Sequence, residues 1–186
     1  DTCRRQRQMC IRDRNNTISC ASCHAPQYAF SDNISFSSGV NGDLGKRNSM
    51  VLQNLAWVDE FLWDGAIHSL EEQILLPVMD STEMDNTWSD FLNDVRYDNL
   101  YRELFYNAFG TLEPDSILAA KAIAQFLRTM ISGNSKYDKV LRYEANFTPD
   151  ENAGFSSFNS LTGGDCFHCH GGISVSYTHL RAHETN

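Results

Sequence analysis

Cys20-Ala21-Ser22-Cys23-His24 places two thiols and an imidazole within five residues. Two cysteines separated by two residues can form a redox disulfide, supply half of a zinc site or receive a c-type haem. The histidine that follows at once distinguishes these readings. Thiols adding across haem vinyl groups as thioethers would hold the adjacent imidazole beneath the iron. The pattern recurs as Cys166-Phe167-His168-Cys169-His170. With six Cys and six His in 186 residues, a chance match is on the order of 10⁻⁵ per position. Two copies therefore imply two covalently bound haem c groups, with Cys20, Cys23, Cys166 and Cys169 as attachment points and His24 and His170 as iron ligands.

The chain ends are set apart from this reading. Residues 4–14 resemble a translated sequencing adapter, and Ser176 to Thr185 resembles the opposite-end adapter in frame. We therefore expect residues 1–14 and 174–186 to be adapter-derived and exclude them from fold reasoning. The four remaining cysteines all belong to the two motifs, which leaves none for disulfides. From Asn15 to Ile173, nine Lys and Arg face 21 Asp and Glu, a net charge of −12. Nucleic acid is an unsuitable partner for so acidic a chain. No apolar run is long enough to form a membrane span. Covalent haem attachment points to the periplasm.

Helices must position the motifs. Ser69-Leu70-Glu71-Glu72 is a capping-box pattern that starts a helix near Ser69, which Pro77 should end or kink. Thr87 to Val95 carries Trp88, Phe91, Leu92 and Val95 at helical spacing, and Asn99 to Phe109 carries Leu100, Leu104, Phe105 and Ala108. Ile117 to Ile131 presents Ile117, Ala120, Ala124, Leu127 and Ile131 as a core face. Thr148-Pro149-Asp150-Glu151 opens another helix, which Gly163-Gly164 stops just before the second motif. The small polar run Ser132-Gly133-Asn134-Ser135 divides the chain into residues 15–132 and 133–173. The expected class is mainly α, with two c-type cytochrome-like haem domains, the second cut short.

The ordered series resembles the bacterial di-haem cytochrome c peroxidases, whose wider family includes the enzyme that matures tryptophan tryptophylquinone. It comprises the first CxxCH, Lys46-Arg47-Asn48, Phe61-Leu62-Trp63-Asp64-Gly65, Leu70-Glu71-Glu72-Gln73, Pro77, Glu83-Met84 and the second CxxCH. The resemblance makes residues 15–132 a peroxidatic haem domain and residues 133–173 the start of an electron-transfer haem domain. It matches Glu83 to the distal acid/base, with Gln73 and Pro77 lining the same pocket. Trp63 matches the tryptophan that carries electrons between haems, and Asn48 matches a calcium ligand. Hydrogen peroxide and a small redox donor, such as a cytochrome c or cupredoxin, are the implied partners; the sequence leaves a homodimer open.

A di-haem oxidase acting on a protein or organic substrate is the first alternative, and a di-haem electron carrier the second. His68, His168, Met50, Met79, Met84 and Met130 read as surface or packing residues. The sixth ligand of the second haem should come from further downstream. Val40 occupies the position at which many members carry an iron-capping histidine.

Overall fold

The computed structural model describes Asn15 and residues 17–170. The two expected adapter segments, residues 1–14 and 174–186, fall outside these residues. Among the described residues, eight α-helices and two short 3-10 turns make up the helical structure, and isolated β-bridges pair Ala25 with Ser31, Ser38 with Leu44 and Phe61 with Ile67. α1 spans Cys20–Cys23, α2 Leu70–Met79, α3 Trp88–Tyr97 and α4 Asn99–Phe109. α5 spans Ser116–Arg128, α6 Lys136–Leu141, α7 Pro149–Asn159 and α8 Phe167–His170.

Local chemistry explains the helix starts. The Ser69 hydroxyl accepts the Glu72 N–H, Asp98 accepts those of Leu100 and Tyr101, and Asp115 that of Leu118. Each satisfies amide donors that the first helical turn would leave unpaired. Thr148 and Glu151 form a reciprocal capping box before Pro149 at the first position of α7. Pro77 does not end α2, which continues to Met79. Proline removes one amide donor, and so near the helix end only two further residues need to follow.

α2 joins two apolar clusters. One contains Leu55, Phe61, Leu70, Ala124 and Leu127; the other contains Val78, Met84, Trp88, Phe91, Leu92 and Ala119. Ile74 packs against both. Ala119, Ala120 and Ala124 are buried, and their small side chains let α5 lie close against α2. The Trp88 indole N–H satisfies itself on the Leu75 carbonyl at 3.2 Å. Arg128 of α5 grips Glu71 of α2 with two bonds, at 2.6 and 3.0 Å.

Two expected core faces are only partly covered. Ile117, in the first turn of α5, and Ile131, beyond the helix end at Arg128, are 51% and 62% exposed. Leu100 and Leu104 on α4 are also exposed, and that helix buries no residue completely. Periodicity marks the apolar face of a helix; whether another element covers it depends on the rest of the fold.

Candidate haem and peroxide site

His24 is fastened to the chain that follows it. Its Nδ1 lies 2.9 Å from the Phe30 carbonyl oxygen. A carbonyl can only accept, so Nδ1 carries the proton and Nε2 keeps the lone pair that an iron would need. Burial holds the imidazole below its ordinary pKa, against the opposing pull of the Phe30 and Met50 backbone and the Asp32 charge. The ring is therefore neutral, the form that ligates metal. Ala29 and Phe30 both have positive φ, 57° and 58°. These two left-handed residues turn the chain back so that the Phe30 carbonyl faces His24 and Ser31 pairs with Ala25.

The loop beyond is cross-braced. Ser31 Oγ donates to the Ser49 carbonyl at 2.5 Å, and Ser37 Oγ bonds Asp32 Oδ2 at 2.8 Å and Ser49 Oγ at 2.7 Å. The Cys23 thiol lies beside the Ser37 and Ser49 side chains. Its pKa is raised chiefly by burial, and the Asp32 and Glu83 charges add to that. A carboxylate 60 positions along the chain is thus close enough to act on the first attachment cysteine.

Glu83 lies in the turn that follows α2. Glu83 N–H donates to the Asp80 carbonyl, Met84 N–H to the Pro77 carbonyl and Asn86 N–H to the Val78 carbonyl. Solvent reaches the Glu83 side chain, yet the surrounding protein removes enough water to push its carboxyl above the ordinary value. The negative charge of Asp80 adds to the shift. Gln73 and Pro77 are four residues apart on one face of α2. Gln73 Oε1 is buried without a hydrogen-bond partner. An amide oxygen left so is costly unless a ligand donates to it.

Trp63 donates its indole N–H to the Asn48 backbone carbonyl at 2.7 Å. The Asn48 amide meanwhile donates to the Asp32 and Ile34 carbonyls, and its Oδ1 accepts from Ser31. Asn48 therefore ties Trp63 to the loop behind His24. Calcium takes six to eight oxygen ligands, and Asn48 offers one neutral, already engaged oxygen. The described residues do not assemble a calcium site around it. Arg47 bonds Asp64 at 3.3 Å on the surface.

The second motif is looser. Cys166 N–H donates to the Phe158 carbonyl, anchoring α8 to the end of α7. Cys166 Sγ reaches the Gly164 carbonyl at 3.4 Å, and His170 is exposed. His168 pairs with Asp165 at 2.6 Å, also at the surface. The side chain of Cys169 lies outside the described atoms.

The first motif fits a haem. Two free thiols and a neutral imidazole with its iron-side nitrogen unprotonated form the donor set. The buried, unpartnered Gln73 oxygen and the desolvated Glu83 carboxyl supply polar groups that the folded chain itself does not use. Tyr28 and Phe36 in the loop after the motif, and Leu76 and Met79 on α2, are exposed apolar side chains. Phe30 and the serines of the loop escaped sequence reasoning, because a backbone carbonyl has no residue signature.

Fold and site define a mainly α-helical, c-type haem protein with a desolvated carboxylate near its first attachment motif. The family described as di-haem cytochrome c peroxidase matches residues 13–146, and the chain belongs to it. The methylamine utilization protein MauG of Methylorubrum extorquens is 33% identical over 159 residues, covering 84% of this chain and 44% of that protein. The cytochrome c551 peroxidase of Nitrosomonas europaea is 33% identical over 163 residues, covering 87% of this chain and 48% of that one. A crystal structure of a MauG-like protein associated with microbial copper homeostasis superposes with a TM-score of 0.80 at 30% identity. It covers 95% of this chain and 52% of that protein. The chain thus spans about half the length of the curated relatives it matches.

Proposed function

We propose that the complete protein reduces hydrogen peroxide to water with electrons from a small redox protein, in the periplasm. The supporting observation is the desolvated Glu83 carboxyl, held on the end of α2 and acting electrostatically on Cys23 of the first motif. The reaction converts one peroxide, two electrons and two protons into two waters. When bound, the first haem supplies the redox chemistry.

The chain's own residues manage the protons. Glu83 takes the proton from one peroxide oxygen and delivers it to the other, which leaves as water. Its raised pKa brings the carboxyl nearer to working pH, where a group serves as both base and acid. Gln73 Oε1 accepts the hydrogen bond that a peroxide O–H offers. His24 holds its ring orientation through Phe30. Trp63, fixed by Asn48, is the aromatic side chain assigned to electron passage. A cytochrome c or cupredoxin is the proposed donor. No helix among the described residues is long and apolar enough to cross a membrane.

Glu83→Gln in the complete protein tests the assignment. It removes a charge that the fold solvates poorly, so the variant keeps its structure and both haems. Steady-state peroxide turnover should fall by roughly 10²–10⁴-fold. Near-normal turnover would make Glu83 a surface acid.

A further inference from the structure

The loop between residues 37 and 45 has a structure of its own. Ser38 bridges Leu44, Gly39 N–H donates to the Asp43 carbonyl at 2.8 Å and Gly45 N–H to the Ser37 carbonyl at 2.9 Å. The tip of this loop presses on the turn that carries Glu83. Val40 N–H donates to the Glu83 carbonyl at 2.8 Å, and Asn41 Nδ2 donates to Asp85 Oδ2 at 3.1 Å. Gly39 is buried against the same turn: a Cβ there would stand 2.1 Å from the Thr82 carbonyl oxygen and 2.9 Å from that of Glu83. Both obstacles are backbone atoms, which cannot swing aside. The requirement for glycine here is close approach of two chains, not an unusual φ.

On its other side the turn is held by α2. Asp80 Oδ1 accepts from Thr82 N–H and Oγ1 at 2.7 and 2.8 Å, and Glu83 N–H donates to the Asp80 carbonyl. The Glu83 backbone is therefore gripped from two directions. The root of the loop, Ser37, bonds Asp32 and Ser49 and lies beside Cys23 of the first motif. One continuous device thus connects the attachment cysteine to the backbone of Glu83.

We propose that Gly39 and Val40 are positioning residues for Glu83, setting its distance from the first haem attachment motif. This rests on the acid/base role proposed for Glu83. A bulkier residue at 39 pushes the loop or the turn away, and misplacement by about 1 Å costs catalysis up to about 10²-fold. A packing glycine of the ordinary kind would instead affect stability, independently of Glu83.

The test uses the complete di-haem protein with Gly39→Ala, Glu83→Gln and both together. Gly39→Ala should retain two haems by denaturing mass spectrometry and lower kcat/KM for peroxide by about 10- to 100-fold, with KM for the electron donor unchanged. Hydrogen exchange of the segment containing the Val40 amide should quicken, because its bond to the Glu83 carbonyl is lost. In the Glu83→Gln background the same change should cost less than about 2-fold, as residues acting through one another are non-additive. An unchanged kcat/KM in Gly39→Ala, or an equal loss in both backgrounds, would overturn the clamp. A fully active Glu83→Gln would overturn the acid/base reading instead. If Gly39→Ala does not retain its haems, Asn41→Ala trims the same contact more gently. A loss of about 2- to 5-fold is expected, absent when Glu83 is Gln, and no loss overturns the clamp.

Discussion

The two CxxCH motifs share a residue pattern and differ in almost everything around them. After the first, two left-handed residues turn the chain back, the Phe30 carbonyl accepts a hydrogen bond from His24 Nδ1–H, and a braced loop leads on to Asn48 and Trp63. Burial keeps His24 neutral. At the second, His170 is exposed and, among the described residues, α8 is anchored through the Cys166 amide on the Phe158 carbonyl. A motif of five residues specifies attachment; the chain folded around it specifies chemistry. Glu83 and Trp63 are tied to the first motif through electrostatics or hydrogen bonds traceable along the chain, and none of the described contacts carries such groups to the second.

Removing each attachment pair breaks the comparison most severely. Cys20 and Cys23 both changed to Ser should leave one haem in the complete protein by denaturing mass spectrometry, and peroxide turnover should fall to background. Cys166 and Cys169 changed to Ser should likewise leave one haem, with turnover on the protein donor lost. The unmodified protein should carry two. A count of one or none there would remove the basis for comparing the motifs at all.

Glu71 sharpens the contrast between neighbouring acids. It matches no catalytic position in the family resemblance, and it forms a bidentate pair with Arg128 that joins α2 to α5. The Arg128 bond holds the Glu71 carboxyl below its ordinary value. A depressed folded-state pKa gives stability that is present above the unfolded value and lost as pH falls through the folded one. Glu71→Gln should therefore lower stability by about 1 kcal/mol at neutral pH, with a smaller difference in acid. Its kcat for peroxide should stay within about 2-fold of the parent. Denaturant unfolding at two pH values checks the first statement.

The smallest effect concerns the turn behind His24. Ala29 holds a left-handed conformation that costs a residue with a Cβ about 1 kcal/mol. Ala29→Gly should relieve that strain and raise stability by about 0.5–1 kcal/mol, while leaving the Phe30 carbonyl on His24. Thermal unfolding would show it, and a loss of stability would mean that the turn depends on the alanine side chain.

Much of this was legible in the residues. The attachment motifs, the caps at Ser69 and Thr148 and the apolar stripe of α3 follow from side-chain chemistry at fixed spacing. What stayed hidden is carried by backbone or by distant segments. The Phe30 carbonyl, the Gly39 approach to Thr82 and the Asn48 carbonyl beneath Trp63 have no pattern in sequence, because any residue supplies a carbonyl. Pro77 sits inside α2 because only the last turn follows it. Ile117 and Ile131 stay exposed because periodicity cannot say what covers a face.

The central claim is that the first motif's haem is open to peroxide and the second's is not. The resemblance matches Val40 to a position where many members carry an iron-capping histidine; its side chain has no lone pair, and its amide is committed to the Glu83 carbonyl. Electron paramagnetic resonance of the oxidised, complete protein reads the two sites separately. The account predicts one high-spin ferric signal that is lost on adding peroxide without prior reduction, beside a low-spin signal from the second site. Two low-spin signals, with peroxide reactivity appearing only after reduction, would contradict it.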